Sequence, residues 1–220
     1  MGYTLNFAVV WRNFGLLLSG LGLSLVLALV SIALGVVIGL VTAFVLNGKA
    51  SVWRGAAVAY VAAIRNTPIL ILILFTYFAL PQLGVRFDKI QSFVFTLSLY
   101  AGAYLAEVFR GALNGVPKGL REAGLAIGLT EWQIKSSITI PVMLRNALPA
   151  LSGTFISLFK DTSLAAAIAV PELTFYARKI NNESFRVIET WVITSLIYVA
   201  ACVLLAALLR LVERRLAIPR

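Results

Sequence analysis

Two adjacent charges, Lys160 and Asp161, lie inside an otherwise apolar stretch at about residues 147–170. Insertion scales put each such charge at about 2.5–3.5 kcal/mol at mid-bilayer, so ionisable side chains at that depth face a bundle interior or a water-filled cavity. A cation beside an anion matches the two ends of a zwitterionic solute. Neighbours on an unbroken helix point about 100° apart, so aiming both at one ligand calls for local unwinding, which brings Thr162, Ser163 and backbone groups into play. Alternatively, Lys160 or Asp161 pairs with Arg65 or Glu107 and fixes helix packing.

Arg65 stands two residues before Thr67-Pro68. The proline disfavours helical geometry at Thr67 and removes a backbone donor, so a kink is expected there. Arg65 then faces a pore mouth or marks the lipid boundary. Glu107 and Arg110, three residues apart, are spaced to pair on one helical face. No nucleophile–base arrangement with histidine as base is possible. The chain has no histidine, only Cys202 as cysteine, and no phosphate-cradling Gly-x-x-x-x-Gly-Lys-Ser/Thr loop. Soft-metal sites and an internal disulfide are excluded on the same count.

These residues must be positioned by membrane helices. The 220 residues are 60% hydrophobic and 13% charged, with a mean hydropathy of +0.95, against about 25% charged in an ordinary soluble domain. A soluble enzyme and a disordered tail are both ruled out. The net charge of +10 fits basic cytoplasmic loops better than nucleic acid. About 20 apolar residues make one span, and five stretches qualify: about 18–45, 55–80, 90–110, 147–170 and 190–210. The first lies in 36 residues without charge between Arg12 and Lys49 and is read as a retained span, not a signal peptide. With the amino terminus outside, eleven basic residues fall inside, Lys49, Arg121, Arg214 and Arg220 among them. Six fall outside, including Arg12 and Arg86. Amino terminus out and carboxy terminus in is therefore the expected orientation. Gly35-x-x-x-Gly39 has the small-residue spacing of close helix approach in lipid, within one subunit or at a dimer seam. The segment from Arg178 to Glu183 reads as an outer loop, solvated or meeting a partner.

The polar stretch 114–146 is patterned as two helices. Pro117 suits a first turn, Leu120, Ala123 or Gly124 and Ile127 recur at helical spacing, and Gly128 is a stop. Thr130-Glu131-Trp132-Gln133 reads as a capping box opening a second helix, which Pro141 is expected to end. Such a unit docks a partner or lies on the lipid surface.

Glu122-Ala123-Gly124, three residues, Gly128, nine residues and Ile138-Thr139-Ile140-Pro141 resemble the signature loop of ABC-importer permeases, Glu-Ala-Ala, three residues, Gly, nine residues, Ile-x-Leu-Pro. Gly124 and Ile140 depart mildly from it. Arg65-Asn66-Thr67-Pro68, Glu107-Val108-Phe109-Arg110-Gly111 and Phe159-Lys160-Asp161-Thr162-Ser163-Leu164 extend the similarity, over about residues 10–215, to the polar amino-acid uptake subfamily. The resemblance implies an all-α integral membrane protein of the bacterial cytoplasmic membrane. It has a short external segment (1–15), a five-span transmembrane domain (16–212) and a cytoplasmic tail (213–220). It further implies a second permease subunit, identical or related, an extracytoplasmic amino-acid-binding protein and a cytoplasmic ATPase. The ATPase carries ATP and Mg²⁺, and its groove takes Arg121, Glu122, Ala123, Gly124, Leu125 and Gly128. Arg65, Thr67, Pro68, Lys160, Asp161, Thr162 and Ser163 are the substrate-path candidates. The residues alone also fit a stand-alone ion-coupled transporter or channel gated by Lys160 and Asp161, or a membrane scaffold.

Overall fold

A computed structural model describes residues 3–48 and 52–216, and these form helices and connecting turns without a strand. Lys49 and Arg220, both expected on the inner side, lie outside the described residues. Four continuous helical runs are long and apolar enough to cross a bilayer: Phe14–Asn47, Lys89–Asn114, Glu131–Ile168 and Val187–Arg215. A fifth crossing exists if a bent pair, Val52–Arg65 with Ile69–Leu83, counts as one span.

A short helix α1 (Ala8–Arg12) precedes α2 (Phe14–Asn47). At 1.5 Å per residue α2 is about 50 Å long, more than a hydrocarbon core of about 30 Å requires. Its buried face is mostly small, with Gly20, Ser24, Ala28, Ser31, Gly35 and Gly39 beside the larger Leu17, Leu27 and Leu46, while Leu25, Leu29, Val37 and Val41 point outward. This inversion suits lipid, where bulk gains nothing by turning inward and close backbone approach gains dispersion contacts. A β-carbon on Gly35 would come within 2.5 Å of that of Ala101, and one on Gly39 within 2.8 Å of that of Leu105. The Gly35–Gly39 spacing thus seats α2 on α5 (Lys89–Asn114) within one chain.

Helix α5 is the centre of the bundle. Asp88 and Gln91 close its start as a capping box. Phe93, Leu97, Ala101, Leu105 and Phe109, four residues apart, are fully buried and pack with Met143, Ala147 and Leu151.

Three sequence expectations need correction, whereas the kink expected in the stretch 55–80 is present: α3 (Val52–Arg65) meets the run Ile69–Leu83, which opens with α4 (Ile69–Leu74), at 104°. The break falls at Thr67-Pro68, where the Asn66 amide and the Thr67 hydroxyl turn back on the carbonyls of Ala62 and Ala63. A π-helical turn, Phe75–Ala79, then aims Thr76 at Thr96 of α5, 2.9 Å away.

Pro141 does not end the second loop helix. After α6 (Lys118–Ala126), α7 (Glu131–Ile134) passes through a π-helical turn, Lys135–Thr139, into α8 (Ile140–Asp161) without interruption. The widened turn gives room for the proline ring. Nor does the fourth span unwind at Asp161. It tightens into a 3₁₀ turn, Thr162–Ile168, that ends at Ala169 with φ +56°. The outer segment is no loop either: α9 (Leu173–Ser184) is helical and leads into α10 (Val187–Leu216).

Candidate functional site

Arg65, the last residue of α3, lays its guanidinium over the ring of Tyr104, 5.2 Å from the centroid. That cation–π contact starts a line of polar groups. The Tyr104 and Tyr100 hydroxyls are 3.2 Å apart, and Tyr100 lies within electrostatic reach of Asp161. Tyr100, Tyr104 and Glu107 are spaced four and three residues apart on α5, hence on one face. Beyond them Glu107 holds Arg110 at 2.6 Å, as their spacing suggests. A cavity of about 410 Å³ bordered by Arg65, Asn66, Tyr104 and Glu107 opens beside the line. Glu107 also borders a larger one, about 830 Å³, between α5 and α8, with Arg145 and Asn146.

The substrate-path candidates do not all join this line. Asp161 is half-buried at the end of α8, whereas Lys160 beside it is exposed. Neither makes an ion pair with Arg65 or Glu107 among the described residues: Arg65 rests on Tyr104 and Glu107 on Arg110. Thr162 is fully buried, its hydroxyl donating to the Phe159 carbonyl at 2.7 Å, and Ser163 is half-buried in the 3₁₀ turn. Thr67 and Pro68 shape the α3–α4 break. The arrangement offers a cation, two phenols and a carboxylate in sequence, matching a solute with charges at both ends and polar atoms between.

The loop candidates form one rigid hairpin. At the end of α6 the Leu129 N–H bonds the Gly124 carbonyl and the Gly128 N–H that of Leu125, with Gly128 at φ +81°. This is a Schellman closure, which places a glycine in the left-handed region at that position. Thr130 and Gln133 then cap α7 reciprocally. Gly124 is buried against Ile134, and a β-carbon there would stand 2.9 Å from its Cγ1. Arg121 pairs with Glu131 across the turn. An ion pair so exposed adds little, so the caps and the Gly124–Ile134 contact hold the angle. Glu122, Ala123, Leu125, Ile127 and Trp132 remain exposed, an apolar and acidic surface with no cover among the described residues.

A second polar cluster escaped the sequence reading. The carboxylate of Glu172 is fully buried and accepts from the Thr174 and Phe175 N–H groups, both at 2.8 Å. The hydroxyls of Tyr198 and Ser24 reach it at 3.1 and 3.3 Å. One side chain thus caps α9 and ties it to α2 and α10. Gly20 makes the approach feasible, since a β-carbon there would be 2.8 Å from the Glu172–Leu173 backbone. Burial pushes the Glu172 carboxyl above its ordinary value, while the donors that bond it pull the other way. The signal in the sequence was one acid, after Pro171, amid apolar residues. The Tyr100–Tyr104–Glu107 face was likewise legible from helical spacing.

Residues 35–218 match the family described as "Binding-protein-dependent transport system inner membrane component". The chain is 36% identical over 215 residues to the Glutamine transport system permease protein GlnP of Escherichia coli (strain K12), covering 97% of this chain and 98% of that one. It is 35% identical over 219 residues to the L-cystine transport system permease protein TcyB of Bacillus subtilis (strain 168), with 97% and 94% covered. Among solved structures, a chain of an amino acid ABC transporter crystallised with histidines superposes with a TM-score of 0.89 at 30% identity, over 97% of this chain and all of that one. Helical architecture, the hairpin between the third and fourth spans and similarity along the whole length agree: this chain belongs to the family of binding-protein-dependent transport system inner membrane components.

Proposed function

We propose that the chain is the permease subunit of an ATP-driven importer of polar amino acids and forms half of a dimeric pore. The observation that carries this reading is the α6–α7 hairpin: rigid by its caps and its Gly124–Ile134 contact, yet exposing Glu122, Leu125, Ile127 and Trp132. A surface that is both fixed and apolar fits a lever gripped by another subunit. That subunit is a cytoplasmic ATPase, which holds ATP and Mg²⁺. Because α7 continues into α8 without a break, displacement of the hairpin reaches Lys160 and Asp161 through helix. The spans then alternate between inward- and outward-facing arrangements.

Arg65, Tyr104, Tyr100 and Asp161 line the path, with Lys160 and Ser163 at its far end. Arg65 meets the carboxylate of an amino acid and Asp161 its ammonium group. Thr162 shapes the turn behind them. A binding protein delivers the solute at the outer face, with the amino terminus outside and the carboxy terminus in the cytoplasm, in keeping with the eleven-to-six distribution of basic residues. Glutamine and cystine, named for two relatives, set the solute class to screen first.

Co-purification tests the reading. The full chain should retain an ATPase in fixed stoichiometry and take up amino acids only with ATP. A Glu122→Arg, Leu125→Asp double variant should lose the ATPase while remaining in the membrane. Uptake by the chain alone, without ATP, would instead favour an ion-coupled carrier.

A further inference from the structure

Away from the polar line, helices α2, α8 and α10 leave a groove of about 370 Å³ between them. Its floor is Ala28 and Phe159, both buried, and its rims are Leu29, Leu208 and Val212, all exposed. Among the described residues no charged side chain lines it. On α10 the lining residues Leu205, Leu208 and Val212 follow helical spacing, and Arg215 continues the same face one turn on. Arg214 is its neighbour, and both guanidinium groups are exposed. Glu213 turns the other way, accepting from the Ser152 hydroxyl of α8 at 2.7 Å.

We propose that this groove holds one acyl chain of a phospholipid whose anionic headgroup is met by Arg215 and Arg214. The groove runs about 10 Å along α10, and its lining is aliphatic and aromatic throughout. An acyl chain is slender and wholly apolar. Charge then selects the lipid, because long basic side chains at a helix end reach the headgroup layer and favour anionic lipid there. The Glu213–Ser152 bond fixes α10 on α8, so the groove keeps its width.

Native mass spectrometry of the detergent-extracted full chain, equilibrated with equimolar phosphatidylglycerol and phosphatidylcholine, tests the proposal. The wild type should retain one phosphatidylglycerol per chain. An Arg214→Gln, Arg215→Gln variant should still retain a lipid but lose the headgroup preference about ten-fold or more. Leu208→Trp, which fills the groove from its rim, should retain neither lipid. Equal retention of both lipids by the wild type, or unchanged retention in Leu208→Trp, would overturn the proposal. So would efficient disulfide cross-linking of Leu208→Cys between two copies where the parent chain gives none, because the groove would then be an interface between subunits.

Discussion

Arg65 and Asp161 carry opposite charges at the two ends of a line whose middle is two tyrosine hydroxyls. Replacing either charge by its amide-bearing isostere or nearest neutral mimic, Asp161→Asn or Arg65→Gln, should lower amino-acid uptake at least ten-fold at unchanged membrane abundance. Tyr104→Phe, which keeps the ring under the guanidinium and removes the hydroxyl, should have a smaller effect. Radiolabelled uptake in vesicles normalised to immunoblot signal measures all three. Glu172 has a different kind of consequence. Its folded carboxyl holds a proton to higher pH than the ordinary value of 4.5, so its contribution to stability is complete below that value and is lost as pH rises through the folded one. The unfolding temperature in detergent should therefore fall as pH is raised from 5 towards neutrality. Glu172→Gln should flatten that slope, though one cap acceptor is lost and the variant starts less stable. A slope unchanged in Glu172→Gln assigns the pH dependence to other groups.

At the scale of elements, glycines set two geometries that no other residue supplies. Gly35→Val drives a branched side chain into Ala101, where a single β-carbon already stands 2.5 Å away. Overpacking of this kind costs about 1–3 kcal/mol, and thermal unfolding should register it, while the same change at Gly22, which has open space around it, should be silent. Gly128→Val forces a branched residue to φ +81°, where left-handed geometry costs about 1–2 kcal/mol. It should loosen the hairpin and reduce uptake while α8 and the other spans stay intact. Much at this scale was legible beforehand because it depends on local chemistry. The Thr130 cap, the Gly128 stop, the break at Thr67-Pro68 and the Glu107–Arg110 pair all follow from neighbouring residues. What was not legible depends on distant partners. The 104° angle between α3 and the run Ile69–Leu83 is set partly by Tyr60, whose hydroxyl bonds the Leu99 carbonyl of α5. The passage of Pro141 through a continuous helix needed a π-helical turn upstream that no residue type announces. Helix α9 was missed because its cap is Glu172, an unusual residue for that position, stabilised by groups from two other helices.

For the whole molecule, composition was enough to assign the membrane, since 13% charged residues cannot cover a water-exposed surface of this size. Apolar lengths marked the long helices, four continuous runs and a fifth crossing if the bent pair counts as one, but their arrangement around α5 came from the small-residue seam of α2, which spacing alone left open between a fold contact and a dimer contact. Orientation is open to direct measurement: with Cys202 replaced by serine, cysteines at Lys118 and at Lys179 should react with a membrane-impermeant thiol reagent from opposite faces, Lys179 from outside. In the proposed mechanism, motion of the hairpin reaches the polar line through the unbroken run from Glu131 to Ile168. The most direct test is ATP hydrolysis and amino-acid uptake measured together in vesicles holding the assembled complex, with Gly-Gly-Ser inserted after Ile134 to interrupt that helix. The ATPase should stay bound and hydrolyse ATP while uptake falls to background. Uptake preserved in step with hydrolysis would mean that the helix does not carry the motion.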